Sequence, residues 1–168
     1  MKVIPNSLLS CFERISSERY GLLYDLAAEG LFSLTELEHI IEEFTIQRYN
    51  LAKSFHESAK VISIKADMDA RNVISRNYYA MFHAARAVIF HFHRHDEEKH
   101  EEVIKRIETI LGSSFGKQIW KWKENRRIAD YSPFPTFDLM AYANQSFQAT
   151  EEFLNECKTF LSKRGVSW

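Results

Sequence analysis

Two groups of residues stand out for the chemistry they could do. Arg76, Tyr79, His83 and Arg86 follow one another at intervals of three, four and three, which on a helix places them along one face. An arginine offers a planar fork to a phosphate, a tyrosine a phenol donor, and a histidine a group that titrates near neutrality, so the set suits an anionic ligand. The same spacing also fits a boundary stripe whose polar tips satisfy one another inside a bundle. The second group is HFHRHDEEKH, residues 91–100, which holds four of the seven histidines: His91, His93, His95 and His100. His91 and His95 are four apart and could share a metal, but no glutamate of the HExxH kind lies between them and no cysteine is near. The simpler reading is the end of a helix, with His93, Arg94 and His95 set against its dipole. Asp96 then caps the next helix, with Glu97 and Glu98 in its first turn. No metal and no cofactor is expected.

A third group is basic and aromatic. Lys117, Lys121, Lys123, Arg126 and Arg127 stand against Glu124 and Asp130, with Trp120 and Trp122 among them. Cations interleaved with aromatics suit single-stranded RNA, through phosphate contact and base stacking. The alternative is an amphipathic helix with Trp122 in the core and the lysines in solvent. Other chemistries lack their context: there is no glycine-flanked serine and no glycine-rich phosphate loop. Cys157 falls on an apolar stripe.

The elements that must position these residues are helices. The chain has 168 residues with 45% hydrophobic content and 13 phenylalanines, enough for one domain with a substantial core. Between Leu31 and Leu111 there is neither glycine nor proline, and strands need more frequent turns than that. The 3.6-residue period predicts a first helix from Ser7 to Gly30, carrying Leu8, Phe12, Ile15, Leu22 and Leu26. A second, capped by Ser33 or Thr35, bears Leu37, Ile41, Phe44, Leu51, Phe55, Ala59 and Ile62. A third runs from about Ala70 to Arg94, with Ile74, Tyr78, Met81, Phe82, Ala85, Val88, Ile89 and Phe92 on its stripe. A fourth carries Val103, Ile107, Ile110 and Leu111 and closes at Gly112. A fifth begins at Ser113 or Ser114 and is broken by YSPFP. A sixth starts at Thr136 and ends at Gly165. The fold class is all-α, an antiparallel helical bundle of four to five core helices with an additional N-terminal helix. Residues 1–34 form the extension and 35–168 the bundle domain.

Formal net charge is −1, so no global field calls for nucleic acid, although local basic patches remain. Two distant cysteines make no disulfide framework, and a reducing, cytoplasmic setting is expected. The N-terminus lacks the apolar core of a signal peptide. No run approaches the roughly 18–20 apolar residues of a membrane span.

The string SRNYYAMFHAARAVI, Ser75 to Ile89, resembles the long helix of HEPN domains: Ser75, Arg76, Tyr78, Tyr79, Phe82, His83, Ala84 and Ala85 stand in the family's arrangement. KHEEVI, with His100, is similar to the family's histidine near the start of the next helix. RRIADYSPF, Arg126 to Phe134, is similar to its arginine, alanine-aspartate-tyrosine segment. The resemblance covers about residues 40–164. It implies a helical bundle that forms a homodimer through its long helix, and in many members a metal-independent endoribonuclease of a toxin–antitoxin or antiviral defence system. A minimal nucleotidyltransferase is the partner it implies, with Tyr131 the tyrosine such a partner would modify. The family's catalytic motif is an arginine followed four to six residues later by a histidine. Here no histidine follows Arg126 or Arg127, and the motif position falls near Asp130 and Tyr131. The resemblance thus gives Arg126, Asp130 and Tyr131 as the catalytic set, and Arg76, Tyr79, His83, Arg127 and Lys121 as nucleotide- or RNA-binding residues. The alternative is a non-catalytic interaction module that kept the fold and lost the histidine.

Overall fold

The computed structural model describes residues 4–13 and 15–168, with Asn6 described by its backbone alone. Among these residues the fold is all-α: α1 (Asn6–Ser10), α2 (Ser17–Ala28), α3 (Leu34–Lys60), α4 (Asp67–His93), α5 (His100–Leu111), α6 (Ser113–Tyr131) and α7 (Leu139–Lys163).

Local chemistry sets most of these boundaries. The Ser33 hydroxyl accepts from Glu36 N at 3.4 Å and starts α3. Before α4, the Asp69 carboxylate accepts from the backbone N–H of Lys65 and Ala66, both at 3.0 Å, which fixes the turn after α3. Arg94 ends α4 in the left-handed region at φ 60°. Gly112, at φ 104°, is the whole connection between α5 and α6, a conformation that favours glycine. Close by, a Cβ on Gly116 would fall 2.7 Å from Glu108 Cβ, so glycine there lets α6 approach α5.

Helices α3 and α4 form an antiparallel pair. Phe44 meets Phe90, Phe55 meets Tyr79 and Ser58 meets Arg76, partner numbers rising along one helix as they fall along the other. α4 is the central element, packed against α3, α5, α6 and α7. From Ala84 to Phe90 every residue is buried, and full burial of a ring such as Phe90 contributes roughly 1.5–3 kcal/mol. The main core joins Tyr78, Met81, Val88 and Ile89 of α4 to Ile107, Ile119, Trp122 and Phe153. A buried polar chain crosses it. His56 Nδ1 donates to Asn77 Oδ1 at 2.8 Å, Asn77 Nδ2 to Ser146 Oγ at 2.6 Å, and Ser146 Oγ to the Ala143 carbonyl at 2.6 Å. The chain ties α3, α4 and α7 in one register.

Several expectations from the sequence are corrected. The first predicted helix is two, because the Ile15 carbonyl accepts from Asp96 N at 3.3 Å instead of serving a helix, and Ser16 Oγ takes over the Arg19 N–H. Pro5, not Ser7, precedes α1. Leu9, Phe12 and Ile15 are buried against α3 while Leu8 and Leu22 are exposed. Asp96 does not cap the following helix: α5 starts at His100, with Glu101 and Glu102 in its first turn. Its carboxylate is instead enclosed by two arginines. Thr136 does not start α7; the Asp138 side chain does, accepting from Met140 N at 2.9 Å and Ala141 N at 3.1 Å. Leu51 and Phe92, read as stripe residues, are exposed.

Candidate functional site

One face of α4 gathers side chains from three other helices. Tyr78, Tyr79, Phe82, His83 and Arg86 lie there at helical intervals, and α3, α5 and α6 each bring partners to them.

The α6 side centres on Arg126. Its Nη2 donates to Tyr79 Oη at 2.8 Å, and its guanidinium lies 5.1 Å from the Tyr79 ring and 5.5 Å from the Tyr131 ring. Its Nε is 2.6 Å from Asp130 Oδ2, an ion pair by distance, though the N–H is not aimed along it. Ser75 Oγ reaches the same Oδ2 at 3.5 Å. One turn earlier, Lys123 pairs with Glu101 at 2.5 Å and clamps the start of α5 to α6.

That clamp brings His100, beside Glu101, into the field of Arg126. Burial and then Arg126 hold the His100 imidazole below its ordinary value. Tyr78 Oη lies 2.5 Å from His100 Nδ1, and burial pushes the phenol above its usual range. One hydrogen bond joins a neutral imidazole to a protonated phenol in either direction: Tyr78 donates to Nδ1 with the ring proton on Nε2, or Nδ1–H donates to Tyr78 Oη, which leaves Nε2 free to take a proton. Phe82 stacks on this imidazole at 4.3 Å.

His83 stacks on Phe55 at 5.3 Å and meets the edge of Phe82 at 5.6 Å. Its Nδ1 is buried without a hydrogen-bond partner among the described residues. Burial first, then Arg86 and Arg48, push it down to about 4. Beyond it lies the most enclosed charge cluster. Asp96 Oδ2 is 2.5 Å from both Arg48 Nη2 and Arg86 Nη2, while Arg86 Nε donates to Oδ1 at 3.1 Å. The Asp96 side chain is 0% exposed and each arginine 8%. Glu98 stands 3.7 Å from Arg86.

The structure therefore brings together Arg126, Asp130, Tyr131 and Tyr79, with His83 joined to Tyr79 through the Phe55 ring that both approach. It does not bring in the rest. Arg76 donates to Ser58 Oγ at 3.0 Å. Arg127 pairs with Glu124 at 2.9 Å on an exposed side of α6. Lys121 lies over Trp122 at 5.8 Å, on a shallow groove between α6 and α7. Trp122 is core and Trp120 is exposed. Arg48 and Phe55 were not legible as site residues, since nothing near them in sequence marks them, while Ser75 was read as part of the α4 motif but not as a site residue. Asp96 was read as a cap because its neighbours are acidic.

HFHRHDEEKH does hold the end of a helix, as its sequence suggests: α4 ends at His93, with His91 and His93 in its last turn and Arg94 as its C-cap. His91 and His93 are partly buried, and burial lowers both. His95 Nδ1 lies 2.9 Å from Ser17 Oγ and 3.2 Å from the His93 carbonyl. Among the described residues no group of three or more His, Cys, Asp or Glu side chains is placed to hold a metal ion, and no helix is long and apolar enough to cross a membrane.

No protein-family model, curated protein or solved structure matches the chain.

Proposed function

We propose that the chain is a HEPN-type protein that binds RNA or a nucleotide through phosphate contact at Arg126, within a toxin–antitoxin or defence system. The observation that supports this most is the placing of Arg126. Two aromatic rings and one phenol hold its guanidinium beside a neutral imidazole, His100, that the sequence places on another helix. A fixed guanidinium matches a phosphate more closely than a mobile lysine does. A neutral histidine can take a proton, which an arginine cannot. On this reading Arg126 holds the phosphate, Tyr79 orients Arg126, and Asp130 sets its charge balance. His100, with Tyr78 behind it, takes the place of the histidine that does not follow Arg126. A homodimer along α4 and a minimal nucleotidyltransferase as partner belong to the same reading.

Fluorescence anisotropy with a labelled single-stranded RNA tests the binding. Arg126→Ala is expected to weaken it about tenfold or more, as loss of a charged hydrogen-bond donor does. Cleavage of the same RNA in EDTA tests the chemistry. Cutting that is lost in His100→Ala supports a metal-independent nuclease.

The second reading is a non-catalytic interaction module. Asp130 favours it, because the ion pair at 2.6 Å already neutralises Arg126. RNA that is bound but left uncut by the wild-type protein would decide for it.

A further inference from the structure

An open, shallow cavity of about 730 Å³ lies where the first turn of α4 meets the end of α6, next to Arg126 but not including it. Met68 and Tyr131 form its apolar part and are 65% and 70% exposed. Asn72 and Asp130 supply the polar edge.

The charges at this cavity say what it would not hold. Arg71 is the cation in its lining, and its guanidinium donates to the carbonyl oxygens of Ala129 and Ser132, closing the C-terminal end of α6. Asp130 is acceptor-only when ionised. An anion seated here would face a carboxylate and an arginine already bonded to carbonyls. A neutral planar group bearing N–H donors meets no such conflict. Tyr131 suits it too. Arg126 lies over the Tyr131 ring at 5.5 Å, and a ring covered by a cation on one face can take a stacking partner on the other. Both contacts to Asp130 from Arg126 and Ser75 fall on Oδ2, which leaves Oδ1 for an incoming donor.

We propose that this cavity seats one unpaired nucleobase of a single-stranded RNA, stacked on Tyr131 and hydrogen-bonded by Asp130 and Asn72, with the adjoining phosphate on Arg126. The inference rests on the phosphate-binding reading of Arg126 given above. It adds that the ligand is single-stranded, because a base held inside a duplex keeps both faces stacked and its edge paired. Stacking also predicts tolerance of base identity, since every base has a π-face.

The test is fluorescence anisotropy at low salt with a labelled short single-stranded RNA, the same strand annealed to its complement, and four variants. Tyr131 and Asn72 are exposed, so their substitutions leave the core intact, and circular dichroism checks that. Tyr131→Ala is expected to weaken single-strand binding by roughly five- to a hundredfold, the usual worth of one base stacked on an aromatic. Tyr131→Phe is expected to restore it, Asn72→Ala to weaken it less, and the duplex to bind more weakly than the single strand. If Arg126→Ala weakens binding while Tyr131→Ala leaves it at the wild-type value, the cavity assignment is overturned and the phosphate reading stands. If the wild-type protein binds no RNA at low salt, both are overturned. A duplex bound more tightly than the single strand overturns the cavity alone.

Discussion

Asp96 balances two arginines on one buried carboxylate, and its removal is expected to destabilise the fold strongly. Asp96→Ala would leave Arg48 and Arg86 enclosed without that counter-charge, at a cost of about 3–5 kcal/mol. Chemical denaturation measures this, and a loss under about 1 kcal/mol would refute the role. His83 gives a pH dependence. Its folded value of about 4 lies below the ordinary 6.5, so the unfolded chain takes up the proton first. Stability is full above pH 6.5, falls as pH drops from 6.5 towards 4, and levels off below. His91, His93 and His100 shift in the same direction and add to it. Melting temperature followed through this window should fall less in His83→Phe than in wild type; identical slopes would count against the assignment. At this scale the sequence shows neighbours on one helix and little more. Tyr79 and His83 could be seen together because they are four apart on α4. The pairing of Asp96 with Arg48 could not, since the partners are 48 positions apart and no local pattern encodes it.

At the scale of elements the long stretch without glycine or proline was sufficient to read α3 and α4, and Gly112 did mark the step from α5 to α6. The caps were less legible, because Thr136 and Asp138 are both good capping residues and only the backbone path chooses between them. The choice has a measurable consequence. Asp138→Ala should cost about 1 kcal/mol, while Thr136→Ala should cost less than about 0.5 kcal/mol, as exposed substitutions do. Paired thermal melts separate the two, and equal losses would assign the cap wrongly. The division between α1 and α2 was hidden for a different reason. Ser7, Phe12 and Ile15 satisfy a helical pattern, and the break arises because a backbone group 81 residues later, Asp96 N, takes the Ile15 carbonyl.

At the scale of the whole molecule, α4 is enclosed by its own bundle over Ala84–Phe90, so a homodimer along it must use its less covered length. Asn72, Arg76 and Phe92 are exposed there. Light scattering at micromolar concentration is expected to give the mass of a dimer; a monomer mass would remove that part of the proposal. The short turn 94–96 meanwhile has reach beyond its size. Arg94 pairs with Glu38 at 2.8 Å, His95 with Ser17 at 2.9 Å, and Asp96 N with the Ile15 carbonyl. During synthesis, residues 15–17 leave the ribosome long before that turn exists. At about 5–20 residues per second, the 78 positions between Ser17 and His95 take roughly 4–16 s to make. For that interval α1 and α2 can rest on α3 but lack their last ties. A nascent-chain binding factor or protease would find them accessible then, and much less so once Asp96 has closed over Arg48 and Arg86.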